Sequence, residues 1–217
     1  MGIIEKVYTM RVIFLRHGET TSNAEGRMQG QYDTELNTRG EDQARIVGKA
    51  LRSDEKIDAV YSSDLKRAYR TAQIVADGKW EITPVPKLRE RFMGKFQNVL
   101  RVEATKIAAA EGKKITDYGE SGQELTARMM EGYLEVLADA ESKGYKTILI
   151  VSHGSALTHL FKEIAKDPKY KVSEDMHDSI YGNSKMGNCS VTIINDNEFE
   201  KHAAKMIDSM VLNVDDV

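Results

Sequence analysis

The sequence predicts an α/β fold, a doubly wound, mostly parallel sheet with helices on both faces and a small cap segment. Three observations predict it. Short runs rich in β-branched and aromatic residues alternate along the chain with stretches whose apolar residues recur at helical spacing. The strongest run, Ile148-Leu149-Ile150-Val151, is apolar at every position, the pattern of a central strand buried on both faces. Twice a strand ends in histidine followed by glycine, at Arg16-His17-Gly18 and at Ser152-His153-Gly154. Open α/β sheets bind ligands beyond the carboxyl ends of their strands, so both imidazoles fall where a site is expected.

The first strand spans residues 12–15, too short and too β-branched for a helix. Residues 21–37 are polar, contain Gly26 and Gly30, and read as a long loop of the kind that carries function. Capping-box spacing at Thr38-Arg39-Gly40-Glu41 opens a helix over 39–51. A second strand over 59–62 runs into Ser63-Asp64 as a helix start, with Leu65, Ala68, Tyr69, Ala72 and Val75 as the apolar stripe. Residues 82–85 form a third strand, which Pro84 confines to an edge. Residues 87–96 are charged and aromatic without a period, 98–111 are helical, and 112–122 form a breaker-rich connection. A second capping box, Ser121-Gly122-Gln123-Glu124, opens a helix to about residue 142. After the strand at 148–151 come a helix over 155–165, a loop over 167–187, a last strand over 189–194 and a short helix from Glu198. No repeat or linker divides the chain, which reads as one domain, 1–217, with a cap segment at about 86–122.

Composition narrows the classes of function. Thirty-one basic against 34 acidic residues give a net charge of −3, so no global basic field draws in nucleic acid or an anionic membrane. Any anion site must be local. The single cysteine, Cys189, excludes an intrachain disulfide and a multi-cysteine metal cluster, fits a reducing cytoplasm, and reads as a small buried hydrophobe. The first ten residues lack a signal-peptide pattern and no run approaches eighteen apolar residues, so the expected location is cytoplasmic, with no membrane partner. His159 follows His153 by six positions, not the four that would bring both to one metal, while His177 and His202 have no visible partner. There is no phosphate-binding P-loop and no dinucleotide glycine fingerprint. No metal and no cofactor are expected. Oligomeric state has no signal.

If the two histidine-bearing strands are parallel neighbours, His17 and His153 share one edge, joined by Arg16 and by Arg67 from the helix after the second strand. Two guanidinium forks and two imidazoles suit a dianionic tetrahedral group, and the helix start at Gly154 adds backbone N–H groups. Met28, Met93, Phe92 and Phe96 fall nearby, either as ordinary packing or as an apolar pocket for a leaving group.

These residues resemble the histidine phosphatase superfamily, in the branch related to phosphoglycerate mutases. Arg16-His17-Gly18-Glu19-Thr20 with Asn23, Gly26, Arg27, Gln29 and Gly30 is similar to its opening motif. Leu36-Asn37-Thr38-Arg39-Gly40, Ser62-Ser63-Asp64-Leu65-Lys66-Arg67-Ala68, Leu88-Arg89-Glu90 and Ser152-His153-Gly154 resemble the blocks that follow, in order. The resemblance implies that His17 accepts the phosphoryl group, that Arg16, Arg67 and a protonated His153 hold it, and that Glu90 is the proton donor. Asn23, Gln29 and Gly154 would lie against the phosphate. It implies a metal-independent phosphatase acting on a small phosphomonoester, with mutase-type transfer or a non-catalytic phospho-ligand binding protein as alternatives. Where the family often has Gly-x-x-Glu-Gly, this chain has Gly94-Lys95-Phe96-Gln97-Asn98. The longer insertion of the cofactor-dependent mutases is absent, which favours hydrolysis.

Overall fold

Strand β1 (Arg11–Arg16) lies between β6 (Thr147–Ser152), which runs parallel to it, and β8 (Val191–Asn195), which runs antiparallel. The computed structural model describes residues 10–172, 186–195 and 198–201. With β3 (Ala59–Ser62), β4 (Ile82–Pro84), β7 (Lys171–Val172) and β9 (Glu198–Lys201), these strands form a seven-stranded sheet in the order β4-β3-β6-β1-β8-β9-β7. Only β8 opposes the others.

The apolar runs in β1 and β6 follow from burial on both sides. Ile13, Leu15, Leu149 and Val151 face a cluster with Val47 and Leu51 of α2 (Thr38–Asp54) and Ala68, Ala72 and Val75 of α3 (Lys66–Ala76). The alternate residues Val12, Phe14, Ile148 and Ile150 pack with Met129, Tyr133 and Leu137 of α5 (Gly122–Ser142) and Leu157, Leu160 and Phe161 of α6 (Gly154–Ile164). A two-residue period on each strand thus feeds two separate cores. A third, smaller cluster of Met28, Phe96, Ala104 and Ala108 joins α4 (Arg101–Ala110) to the two-stranded ribbon of β2 (Arg27–Met28) and β5 (Val99–Leu100). Among the described residues no helix is long and apolar enough to cross a membrane.

Several elements depart from expectation for identifiable reasons. The loop over 21–37 contains α1 (Thr21–Ala24) and β2; α1 is too short for a period to register, and a Thr20/Asn23 capping box starts it. Helix α2 is capped by Asn37, whose side-chain oxygen accepts from the Gly40 N–H at 2.8 Å. Helix α3 starts at Lys66 rather than at Ser63, because Asp33 supplies the cap from a distance, accepting the Lys66 N–H at 2.8 Å. The helix expected over 98–111 is trimmed to α4, since Asn98 takes φ 62° and the next two residues pair with β2. From Glu198 the chain forms strand β9 against β8 rather than a helix, as pairing with a sheet edge outweighs local preference. Most of the 167–187 loop, at 173–185, and the tail from 202 lie outside the described residues, as do His177 and His202.

The turn after β1 is held against α2 by glycines. A Cβ on Gly40 would sit 2.0 Å from the Glu19 carbonyl oxygen, and one on Gly18 would sit 2.4 Å from the Gly40 oxygen. Only two glycines let these backbones approach so closely.

Candidate active site

The register of β1 against β6 pairs Arg16 with Ser152, so His17 and His153 follow side by side at the carboxyl edge. Their ring centroids are 5.1 Å apart. The His17 N–H donates to the Ser152 carbonyl at 3.0 Å, and Asn188 donates its side-chain N–H to the His17 carbonyl at the same distance. The backbone of His17 is therefore fixed from β6 on one side and from the turn before β8 on the other.

The His17 ring has a definite tautomer. Its Nδ1 lies 2.7 Å from the Gly18 carbonyl oxygen, which can only accept, so Nδ1 carries the proton and Nε2 keeps its lone pair. Burial, then the charges of Arg67 and Arg16, holds the imidazole well below the usual 6.5, so it is neutral at neutral pH. His153 is fully buried, with Nε2 2.8 Å from Ser63 Oγ, and burial followed by Arg67 keeps it well below the usual value too.

Arg67 is 1% exposed, and its terminal nitrogens donate to the Gly30 and Tyr32 carbonyls at 2.7 and 3.0 Å. Burial pulls its pKa down to about 10. Arg16 donates to the Met186 carbonyl and lies against Gly154, where a Cβ would come within 3.3 Å of its Nε. The buried Nε atoms of Arg16 and Arg67 and Nδ1 of His153 have no hydrogen-bond partner among the described residues. Buried donors are almost always paired, and three such atoms at one strand edge fit an anionic ligand.

Glu90 reaches the same place from an irregular segment. Its carboxylate accepts from the N–H groups of Arg91 at 2.8 Å, Ala156 at 2.9 Å and Ser155 at 3.0 Å. The Ser155 and Ala156 N–H groups at the start of α6 therefore serve the carboxylate. The flanking guanidiniums are engaged elsewhere: Arg89 pairs with Asp64, and Arg91 donates to the carbonyls of Thr116, Tyr118 and Glu120.

Arg16, His17, Asn23, Gln29, Arg67, Glu90 and Gly154 line a cavity of about 370 Å³, and His153 sits behind His17. Thr20 Oγ1 lies 3.0 Å from both the Asn23 and Gln29 side-chain oxygens, which ties these two amides together. Met28 and Met93 line the cavity, whereas Phe96 packs in the third core and Phe92 is exposed. Among the described residues no three His, Cys, Asp or Glu side chains are grouped to hold a metal ion. Cys189 is buried in the turn before β8, and burial pushes its thiol up to about 12.

A model of the histidine phosphatase superfamily (branch 1) matches residues 12–208. The chain belongs to the histidine phosphatase superfamily. It is 38% identical over 187 residues to phosphoglycerate mutase-like protein 4 of Arabidopsis thaliana, covering 81% of this chain and 80% of that one. It is 36% identical over 166 residues to a metal-independent phosphoserine phosphatase of the same plant, covering 71% and 68%. The solved structure of a mycobacterial glucosyl-3-phosphoglycerate phosphatase in complex with VO3 covers 89% of this chain and 97% of its own at 26% identity, with a TM-score of 0.70.

This histidine phosphatase accommodates its departures from the superfamily pattern by local means. Gln97 uses its amide oxygen to accept the Gln31 N–H at 2.8 Å, a role that needs an acceptor but no charge. Asn98, where the pattern has glycine, takes φ 62°, a left-handed conformation that asparagine tolerates better than most residues. Sequence reasoning missed Ser63 as the partner of His153. It also missed Thr71, whose hydroxyl accepts the Gly18 N–H at 3.1 Å and donates to the Arg67 carbonyl at 2.7 Å. Arg27, Arg101, Thr158 and His159 reach the cavity wall as well. Of these only Ser63, Arg27 and Thr71 stood in or beside a recognisable block.

The two depressed imidazoles give a pH prediction. Between their native pKa values and about 6.5, the unfolded chain binds protons that the native state refuses. This contribution to stability is complete above about pH 6.5 and is lost as the pH falls, by up to about 1.4 kcal/mol per pH unit for each imidazole. Urea unfolding from about pH 7.5 to 5 should show a steeper loss for the native sequence than for His153→Gln. Identical slopes would contradict the assignment.

Proposed function

We propose that this protein hydrolyses small phosphomonoesters through a phosphohistidine at His17, without a metal. The observation that carries the reading is the Nδ1 bond to Gly18, which leaves Nε2 as a free base beside two guanidiniums with unpartnered Nε atoms. Nε2 attacks phosphorus as the ester oxygen departs, and Glu90 gives that oxygen its proton. Water then attacks the phosphohistidine and passes its proton to Glu90, releasing phosphate and restoring neutral His17. Arg16 and Arg67 stabilise charge on the equatorial oxygens throughout, while Asn23 and Gln29 contribute polar groups at the wall. A dianion raises the affinity of His153 for a proton, so His153 becomes a third cationic partner only with the phosphoryl group in place.

The naming of two similar proteins as phosphatases supports hydrolysis. Mutase-type transfer is the second reading, favoured by the likeness to a phosphoglycerate mutase-like protein, and product analysis separates the two. We further take the chain as one cytoplasmic domain with residues 86–122 as its cap.

Phosphate release from a panel of monoesters tests the reaction class. Glu90→Gln should lower kcat for alkyl phosphates by about 10²–10⁴-fold and change aryl phosphates much less, since a good leaving group needs no proton. An equal loss on both would remove Glu90 from this role. Turnover should persist in EDTA, and its abolition there would contradict the metal-free route.

A further inference from the structure

The segment carrying Glu90 is held from behind by a single guanidinium. Residues 89–91 follow a short 3-10 turn, Pro86–Leu88, and belong to no strand, so their carbonyls have no ladder partners. Arg128 of α5 supplies a donor to two of them and to the Lys87 carbonyl. Its Nη1 donates to the Lys87 and Arg89 carbonyls at 2.7 and 2.9 Å, and its Nη2 donates to the Glu90 carbonyl at 3.2 Å. The same fork grips both oxygens of Glu120 at 2.8 Å, and Glu120 accepts the Phe92 N–H at 3.2 Å. Arg128 and Glu120 therefore hold the chain on either side of Glu90.

Glu90 hangs between two helices. Arg128 fixes its backbone from α5, and the Ser155 and Ala156 N–H groups receive its carboxylate at the start of α6. Gln31 adds a second bond to the Glu90 carbonyl at 3.1 Å. Arg128 is absent from the cavity wall, so it meets substrate only through the residue it positions.

We propose that Arg128, locked by Glu120, is a positioning residue that sets how far the Glu90 carboxyl reaches into the cavity and hence the rate of leaving-group protonation. The inference rests on the reading of Glu90 as proton donor. Lysine cannot replace the fork: an ammonium is a point donor, unable to span two carboxylate oxygens and three carbonyls together. A misplacement of about 1 Å at a reacting group costs about 10²-fold in rate.

The test compares an alkyl phosphate, glycerol 2-phosphate, with p-nitrophenyl phosphate in Arg128→Lys, Glu120→Gln, Glu90→Gln and the Glu90→Gln/Arg128→Lys double variant. Circular dichroism and thermal melts check each fold. In Arg128→Lys, kcat for the alkyl ester should fall by about 10²-fold, with p-nitrophenyl phosphate and both KM values changed less than about threefold. Glu120→Gln should show the same selective loss to a smaller degree, and it decides the matter if Arg128→Lys fails to fold. The double variant should be no more selective than Glu90→Gln alone, because both changes remove one step. Uniform loss on both esters, no loss, or additive selectivity would overturn the proposal where Glu90→Gln is selective. If Glu90→Gln is itself unselective, the proton-donor reading fails, and the role of Arg128 fails with it.

Discussion

Replacing His17 with alanine lowers kcat by about 10⁵-fold or more while the fold is retained, because the covalent route loses the atom that receives phosphorus. Nothing nearby can take over. The other imidazole, His153, sits behind His17 with Nε2 engaged by Ser63, and the Cys189 thiol is buried with its pKa raised to about 12. The variant should still bind inorganic phosphate, since Arg16 and Arg67 remain. Steady-state rates with p-nitrophenyl phosphate, read beside a phosphate-binding titration, check both halves. Retained turnover would require a nucleophile other than His17.

Arg67→Met lowers kcat/KM by about 10³-fold, the loss expected when a preorganised donor to a developing oxyanion is removed. The side chain is buried without an ion pair among the described residues; Glu90 and Asp33 offset part of its charge, while Arg16 opposes it and the two imidazoles lie beside it. Such a cluster is costly to maintain and is relieved by an anion. In the native sequence, phosphate at a hundred times its Kd should add about 2.7 kcal/mol of stability, visible as a rise in Tm. In Arg67→Met that rise should be largely lost. Undiminished stabilisation by phosphate would place the anion away from Arg67.

The legible parts of the sequence were those where one local rule sufficed. Continuous apolar runs at 12–15 and 148–151 announced strands covered on both faces, and the Ser121 capping box marked the start of α5. His-Gly at two strand ends indicated a shared edge once the strands were taken as parallel neighbours. What remained illegible depended on distant partners. Asp33 caps α3 from a loop, Ser63 turns from helix start to histidine partner, and two N–H groups at the α6 start receive Glu90. Arg128 carried no local signal either, since its five bonds go to residues 8 to 41 positions away. Side chains that organise other residues through their backbones leave no periodicity or spacing to read.

Rapid acid-free quenching of the enzyme during turnover of a ³²P-labelled monoester, followed by peptide mapping, tests the account most directly. The account predicts label on His17, stable in base and lost in acid, forming and decaying at rates that match turnover. Label on another residue, or full turnover with His17 never labelled, would contradict it.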